Sequence, residues 1–219
     1  MRPLAGLRRR YYNWRRVKFI RNPSTQPTMS KLTRTFIAVD FDNPLIVERV
    51  QELQRRIQES GAVIKAVEPQ NLHITLWFLG ELEQYRLDTV LREVREVRFK
   101  EFKVMVKGMG YFPGGGRVNV VWLGVEDPSG GFDTILDQLL GKLGRHGFRY
   151  DERGFTPHLT IGRVKRVKDR QRLLQTINEL KDIQVGEQEV MELKVKKSTL
   201  TPRGPIYSDL LVVEAERQS

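Results

Sequence analysis

The 219-residue chain contains no cysteine. That excludes a disulfide framework and thiolate metal sites, and it points to an intracellular, cytoplasmic protein. No apolar run approaches the roughly 18 residues that a membrane-spanning helix needs, so no membrane partner is expected. Histidine is scarce, at three residues, and neither an H-x-H nor an H-E-x-x-H pair is present. With so few nitrogen ligands and no sulfur, a metal mechanism lacks a ligand set, and no metal is expected. The triple glycine Gly114-Gly115-Gly116 is not followed by Gly-Lys-Ser/Thr and leads into a strand pattern. It therefore reads as a hairpin tip, not a phosphate loop, and no nucleotide cofactor is expected. No nucleophile elbow and no thiol support covalent catalysis.

Acidic residues are absent from residues 1–28, which carry Arg2, Arg8, Arg9, Arg10, Arg15, Arg16, Lys18 and Arg21. Of the net charge of +11, +8 sits there, leaving +3 for the remainder. This stretch also lacks the apolar segment of a secretory signal, and it reads as a disordered basic extension over residues 1–32. A single domain over 33–214 and a short tail over 215–219 complete the expected layout. Local positive charge in the body matters more for binding phosphate than the total does.

What the chain does have is a repeat. Asn71-Leu72-His73-Ile74-Thr75-Leu76-Trp77-Phe78-Leu79-Gly80 contains an H-x-T-x tetrad that returns 85 residues later in Thr156-Pro157-His158-Leu159-Thr160-Ile161-Gly162. Side chains alternate along a strand, so each strand is expected to present an imidazole and a hydroxyl on one face and apolar residues on the other. An imidazole exchanges protons near neutral pH, and a hydroxyl donates a hydrogen bond to an oxyanion. Two such pairs across a cleft would form an acid–base device around a phosphate. His146 lies outside any such pattern and reads as a surface loop residue.

The rest of the chain supplies a frame. Thr35 to Phe41 and Ala62 to Val67 read as strands, with a helix between them opened by Asn43-Pro44, carrying Leu45, Val50, Leu53 and Ile57, and closed by Gly61. A helix over 87–97 follows the first tetrad strand. Strands over 102–109 and 118–125 form a hairpin, and a helix over 132–143 precedes the second tetrad. A helix over 169–180 follows it, and strands over 187–196 and 206–213 close the chain. Helix, tetrad strand and helix thus occur twice. Hairpins without a regular βαβ series predict an α+β fold of two related lobes, with antiparallel sheets lining a central groove and helices outside.

The two tetrad segments, together with Gly110-Tyr111-Phe112-Pro113, Val121-Trp122-Leu123-Gly124 and the stretch Lys197 to Tyr207, resemble the two-histidine phosphoesterases. Within these the chain is similar to the LigT-like RNA 2′,3′-cyclic phosphodiesterases, also called 2′-5′ RNA ligases. The resemblance runs from Thr35 to Val213. It implies a bilobal fold with a pseudo-two-fold axis and a site in the groove. It also implies opening of an RNA 2′,3′-cyclic phosphate to a 2′-phosphate, with His73 as proton donor to the leaving 3′ oxygen and His158 as proton acceptor from water. RNA ends are the implied partner, tRNA halves among them, and a monomer is expected. One departure is Trp77, where many relatives carry Lys. On strict alternation it shares the His73 face and would alter charge or stacking at the groove edge.

Read from the residues alone, the chemistry needs a base and an acid on opposite sides of phosphorus, without fixing which imidazole plays which part. Each proton transfer contributes ~10²- to 10⁴-fold. The two can exchange roles in the reverse direction, so joining a cyclic end to a 5′-hydroxyl is chemically allowed. Thr75 and Thr160 are placed to bind the non-bridging oxygens, although Thr on a strand face also reflects β-propensity alone. Arg163 could clamp phosphate as a planar fork, but strict alternation puts it opposite His158, so that role needs a bulge, a strand end or a long reach. Phe155 and Tyr207 are candidates for stacking on a base, against a core or rim role. A non-catalytic RNA-end-binding module is the competing function.

Overall fold

The computed structural model describes residues 32–151, 154–202 and 204–216. The basic extension expected over 1–32 falls outside them except for its last residue, as do residues 217–219 of the tail. Among the described residues the order is β1 (Thr33–Asp40), α1 (Pro44–Glu59), β2 (Ala62–Ala66), β3 (His73–Leu82), α2 (Gln84–Arg95), β4 (Phe102–Gly114), β5 (Arg117–Glu126), α3 (Gly131–Gly144), β6 (His158–Val167), α4 (Arg170–Glu179), β7 (Gln184–Val190), β8 (Glu192–Thr201) and β9 (Gly204–Glu214).

Local chemistry explains the helices. In α1 the Asn43 side chain accepts from the Leu45 N–H at 3.0 Å, Pro44 occupies the first turn, and Gly61 takes the left-handed φ of 89° that ends it. Ile46, Val50, Leu53 and Ile57 form its buried stripe. Leu45, expected on that stripe, is 72% exposed because Ile46 takes its place. Leu87, Val90 and Val94 of α2, Phe132, Ile135 and Leu139 of α3, and Leu173 and Ile177 of α4 are buried in the same way. All of them join one continuous apolar core.

The strands form two sheets with orders β3-β1-β8-β9 and β2-β6-β5-β4-β7, and every ladder is antiparallel. Matching β3 to β6 also matches β1 to β5, β8 to β4 and β9 to β7, and leaves β2 as an added edge strand. The fold is α+β with two related antiparallel sheets. The lobes are not successive halves of the sequence, however, because β2 joins the second sheet while β8 and β9 return to the first. For the same reason the expected strand over 187–196 is two strands. It breaks at Met191, where the chain leaves the ladder with β4 and enters the one with β1.

Candidate active site

His73 opens β3 and His158 opens β6, and the two are held in the same way. The Phe41 N–H donates to the carbonyl of Leu72 (2.8 Å), and the Val125 N–H donates to the carbonyl of Pro157 (3.2 Å). Each bond ties the residue before the histidine to the end of the neighbouring strand. The Nδ1 atom of His73 lies 2.8 Å from the carbonyl oxygen of Asn71, and that of His158 lies 2.8 Å from the carbonyl oxygen of Thr156. A carbonyl can only accept, so Nδ1 carries the proton in both rings. Nε2 is left as the atom that exchanges one.

Both tetrads are followed by a bulge at their fourth residue. Along β3, Thr75 faces Ala38 and Trp77 faces Ile37, so Leu76 is extra. Along β6, Thr160 faces Trp122 and Gly162 faces Val121, so Ile161 is extra. One inserted residue reverses the alternation beyond it. This brings Arg163 onto the face of His158 and Thr160, which strict alternation denied it. It also turns Trp77 inward, to 3% exposure and edge-on to Tyr150 with ring centroids 5.0 Å apart. Trp77 therefore does not reach the groove edge as the alternation implied. Phe78, whose side chain should face the core, is instead 50% exposed.

The bulged carbonyls are satisfied by side chains distant in sequence. The Tyr150 hydroxyl donates to the carbonyl of Leu76 (2.9 Å). Nε2 of the buried Gln54 donates to the carbonyls of Ile161 (2.9 Å) and Val67 (2.8 Å). The Val67 N–H also donates to Ile161.

A cavity of about 580 Å³ lies between the sheets. His73, Thr75, His158, Thr160, Arg163 and Tyr207 all line it. Phe155 does not; it is partly buried and packs against the core, edge-on to Phe132 with centroids 5.5 Å apart. Lys65, Lys165 and Asn71 also line the cavity and were not singled out from sequence. Lys165 follows Arg163 at strand spacing, but without the bulge both would face away. Lys65 is legible only from the β2–β6 register, where it opposes Arg163.

Each imidazole is flanked by two rings. Phe36 and Tyr207 each lie 5.1 Å from His73, and Phe112 and Trp122 lie 5.3 and 6.2 Å from His158. Gly110 makes room for this arrangement, since a Cβ there would come within 2.2 Å of the Trp122 ring. Burial holds the His73 pKa below the ordinary imidazole value, and Lys196 and Arg163 add to the lowering, against the Asn71 carbonyl and Asp40. Burial raises the Tyr207 phenol, so it stays a neutral hydroxyl. That Arg163 on one sheet acts on His73 and Tyr207 on the other shows the two sheets converging.

Behind His73, Nζ of Lys196 lies 2.7 Å from Asp40 and 2.6 Å from Asp209. Lys194 bridges Asp40 (3.1 Å) and Glu192 (2.9 Å), which raise its pKa against the lowering effect of burial. His146 lies in the turn after α3, 3.0 Å from Glu93, and is not among the residues that line the cavity. Among the described residues no His, Cys, Asp and Glu side chains gather into a metal-binding group, and no helix is long and apolar enough to cross a membrane.

This frame defines a class of α+β proteins with paired sheets about a groove. Its likeness to solved structures includes TT0787 of Thermus thermophilus, with a TM-score of 0.69 and 26% identity over 83% of this chain and 97% of that one. Escherichia coli LigT in its apo form shares the fold, with a TM-score of 0.65 and 23% identity over 85% and 99% of the two chains. The family model described as the 2′-5′ RNA ligase superfamily matches residues 42–193, and the chain belongs to that superfamily. Relatives that carry the name RNA 2′,3′-cyclic phosphodiesterase include two from archaea. The one from Methanothermobacter thermautotrophicus is 40% identical over 82% of this chain and 97% of its own, and the one from Archaeoglobus fulgidus is 41% identical over 83% and 99%.

Proposed function

We propose that the protein hydrolyses RNA 2′,3′-cyclic phosphate ends to 2′-phosphomonoesters, without a metal, by paired imidazole catalysis. The observation that carries this reading is that both histidines lock Nδ1 on a backbone carbonyl and line one cavity together with both tetrad threonines and Arg163. The names of the archaeal relatives support the same substrate.

His158 takes the proton of the attacking water, and His73 delivers one to the leaving 3′ oxygen. Burial favours the neutral form of His73, so the donor role requires a charge that offsets it. The anionic cyclic phosphate supplies that charge when it sits beside the ring. Thr75 and Thr160 donate to the non-bridging oxygens, and Arg163 pairs with them, as negative charge shifts in the transition state. Tyr207 packs against His73 and offers an aromatic edge to the terminal sugar or base. The catalytic domain is residues 33–214, with 1–32 and 215–219 as appendages. It acts as a cytoplasmic monomer, which the completion of the cavity by one chain supports, with tRNA halves among its substrates.

The superfamily description favours a second reaction on the same groups. A 5′-hydroxyl RNA in place of water gives a 2′-5′ linkage with the same acid and base.

The test is product analysis with a nucleoside 2′,3′-cyclic phosphate in the presence of EDTA. The 2′-phosphate is expected as sole product. No turnover, a 3′-phosphate, or activity restored only by a divalent ion would overturn the reading.

A further inference from the structure

Five residues beyond each histidine stand Phe78 and Arg163, which therefore occupy equivalent places in the two sheets. Arg163 lines the cavity. Phe78 has been turned onto the face of His73 and Thr75 by the bulge at Leu76, yet it stays 50% exposed. Against its ring stands Arg34 of β1, whose Cζ lies 4.6 Å from the ring centroid. The Arg34 charge also bears on the Tyr207 phenol, which lines the cavity. Arg34 and Phe78 thus sit beside the site and form a flat aromatic surface with a guanidinium against it.

We propose that Phe78 and Arg34 form a subsite for the RNA nucleotide on the 5′ side of the cyclic end. The base of that nucleotide stacks on Phe78, and the phosphate joining it to the terminal nucleotide pairs with Arg34. The chemistry favours nucleic acid over a peptide partner: an exposed ring offers a π-face to any base, and a fixed cation beside it answers the charge that every upstream nucleotide brings. The equivalence with Arg163 explains the asymmetry. One sheet supplies the group that holds the reacting phosphate, and the other supplies the surface that holds the next residue of the chain.

The inference rests on the proposed reaction, and a substrate ratio separates the two. Let kcat/KM be measured for a mononucleoside 2′,3′-cyclic phosphate and for a dinucleotide with the same cyclic end. The protein is expected to prefer the dinucleotide by about 10-fold, in the range of one base–aromatic stack. Phe78→Ala is expected to lower the ratio severalfold, leaving the part that Arg34 contributes through the linking phosphate, and Phe78→Trp to retain it. Because the ratio does not depend on how much of a variant folds, loss of folded protein cannot mimic the result. A wild-type ratio near one, a Phe78→Ala ratio equal to wild type, or a Phe78→Trp ratio as low as that of Phe78→Ala would overturn the subsite. If the protein turns over neither substrate, the proposed reaction fails, and quenching of 2-aminopurine at the upstream position of a dinucleotide 2′-phosphate decides the subsite. Quenching lost in Phe78→Ala supports it, and unchanged or absent quenching overturns it.

Discussion

The side-chain amide of Gln54 donates to the main-chain carbonyl of Ile161 at 2.9 Å, joining the first helix to the bulge that follows the second tetrad. Tyr150 does the same for Leu76, at the same place in the first tetrad. A bulge frees a carbonyl from the ladder, and a buried carbonyl without a donor is costly. Tyr150 meets that demand at Leu76, and Gln54 together with the Val67 N–H meets it at Ile161, and so they stabilise the turns of the strands that bring Arg163 into the cavity and Phe78 onto the face of His73.

Tyr150→Phe removes only the hydroxyl that caps Leu76. We expect a stability loss of about 1 kcal/mol from the missing bond. We also expect kcat to fall by about 10-fold with KM little changed, because a small displacement of His73 and Thr75 is felt mainly in the transition state. Gln54→Leu should act likewise through Thr160 and Arg163. Urea unfolding and steady-state kinetics provide the two readings, and a stability loss with unchanged kcat would reduce both residues to scaffolding.

The His73 imidazole should titrate below 6.5, the ordinary value from which burial lowers it, and should move upward when inorganic phosphate or a nucleoside 2′-phosphate is bound. Two-dimensional NMR of the ring resonances against pH measures both. Since folding lowers this pKa, the folded state holds fewer protons than the unfolded chain between the two values. The contribution of His73 to stability is therefore full above 6.5 and is lost as pH falls from there toward the folded value. Denaturant midpoints at pH 7.5 and pH 5.5, compared with those of His73→Asn, isolate it. A titration above 6.5 without ligand would contradict the burial.

Arg163→Met should raise KM for a cyclic nucleotide by about 10-fold, as expected for loss of a charge-assisted bond to phosphate. The same change should raise the His73 pKa, because the guanidinium is one of the charges that lower it. An unmoved His73 titration in this variant would show that the arginine stands too far away to serve the reacting phosphate.

Lys196 is 5% exposed between Asp40 and Asp209, and Asp40 faces His73 across the β1–β3 ladder. Lys196→Met leaves a carboxylate pair without its central cation, and a loss of about 3 kcal/mol is expected. Thermal and urea unfolding of the variant measure it. A loss near zero would mean that Lys194 alone, 3.1 Å from Asp40, is enough to hold the carboxylates.

The helices and the tetrad strands were legible in the sequence because period and end signals are local. Asn43-Pro44 and the repeated H-x-T-x are each complete within a few residues. The bulges were not legible, because an extra residue is defined only against a partner strand. Strict alternation therefore puts the residues just beyond them on the wrong face: Trp77 is buried, Phe78 exposed, and Arg163 on the histidine side. The break at Met191 leaves only a small local trace, the adjacent apolar pair Val190-Met191 where the alternation shifts phase, because a change of sheet is also defined only against partner strands. Phe155 lies three residues before His158 in an irregular segment, where alternation gives no guide to its direction. Gln54 and Tyr150 gave no signal, as neither belongs to a motif and each acts on a carbonyl far away in sequence.

Paired catalysis is tested most directly by the rates of His73→Ala and His158→Ala on a nucleoside 2′,3′-cyclic phosphate, with circular dichroism as the control for folding. Each folded variant should lose ~10²- to 10⁴-fold in kcat. If either folded variant keeps the wild-type rate, the two imidazoles do not share the work of opening the phosphate.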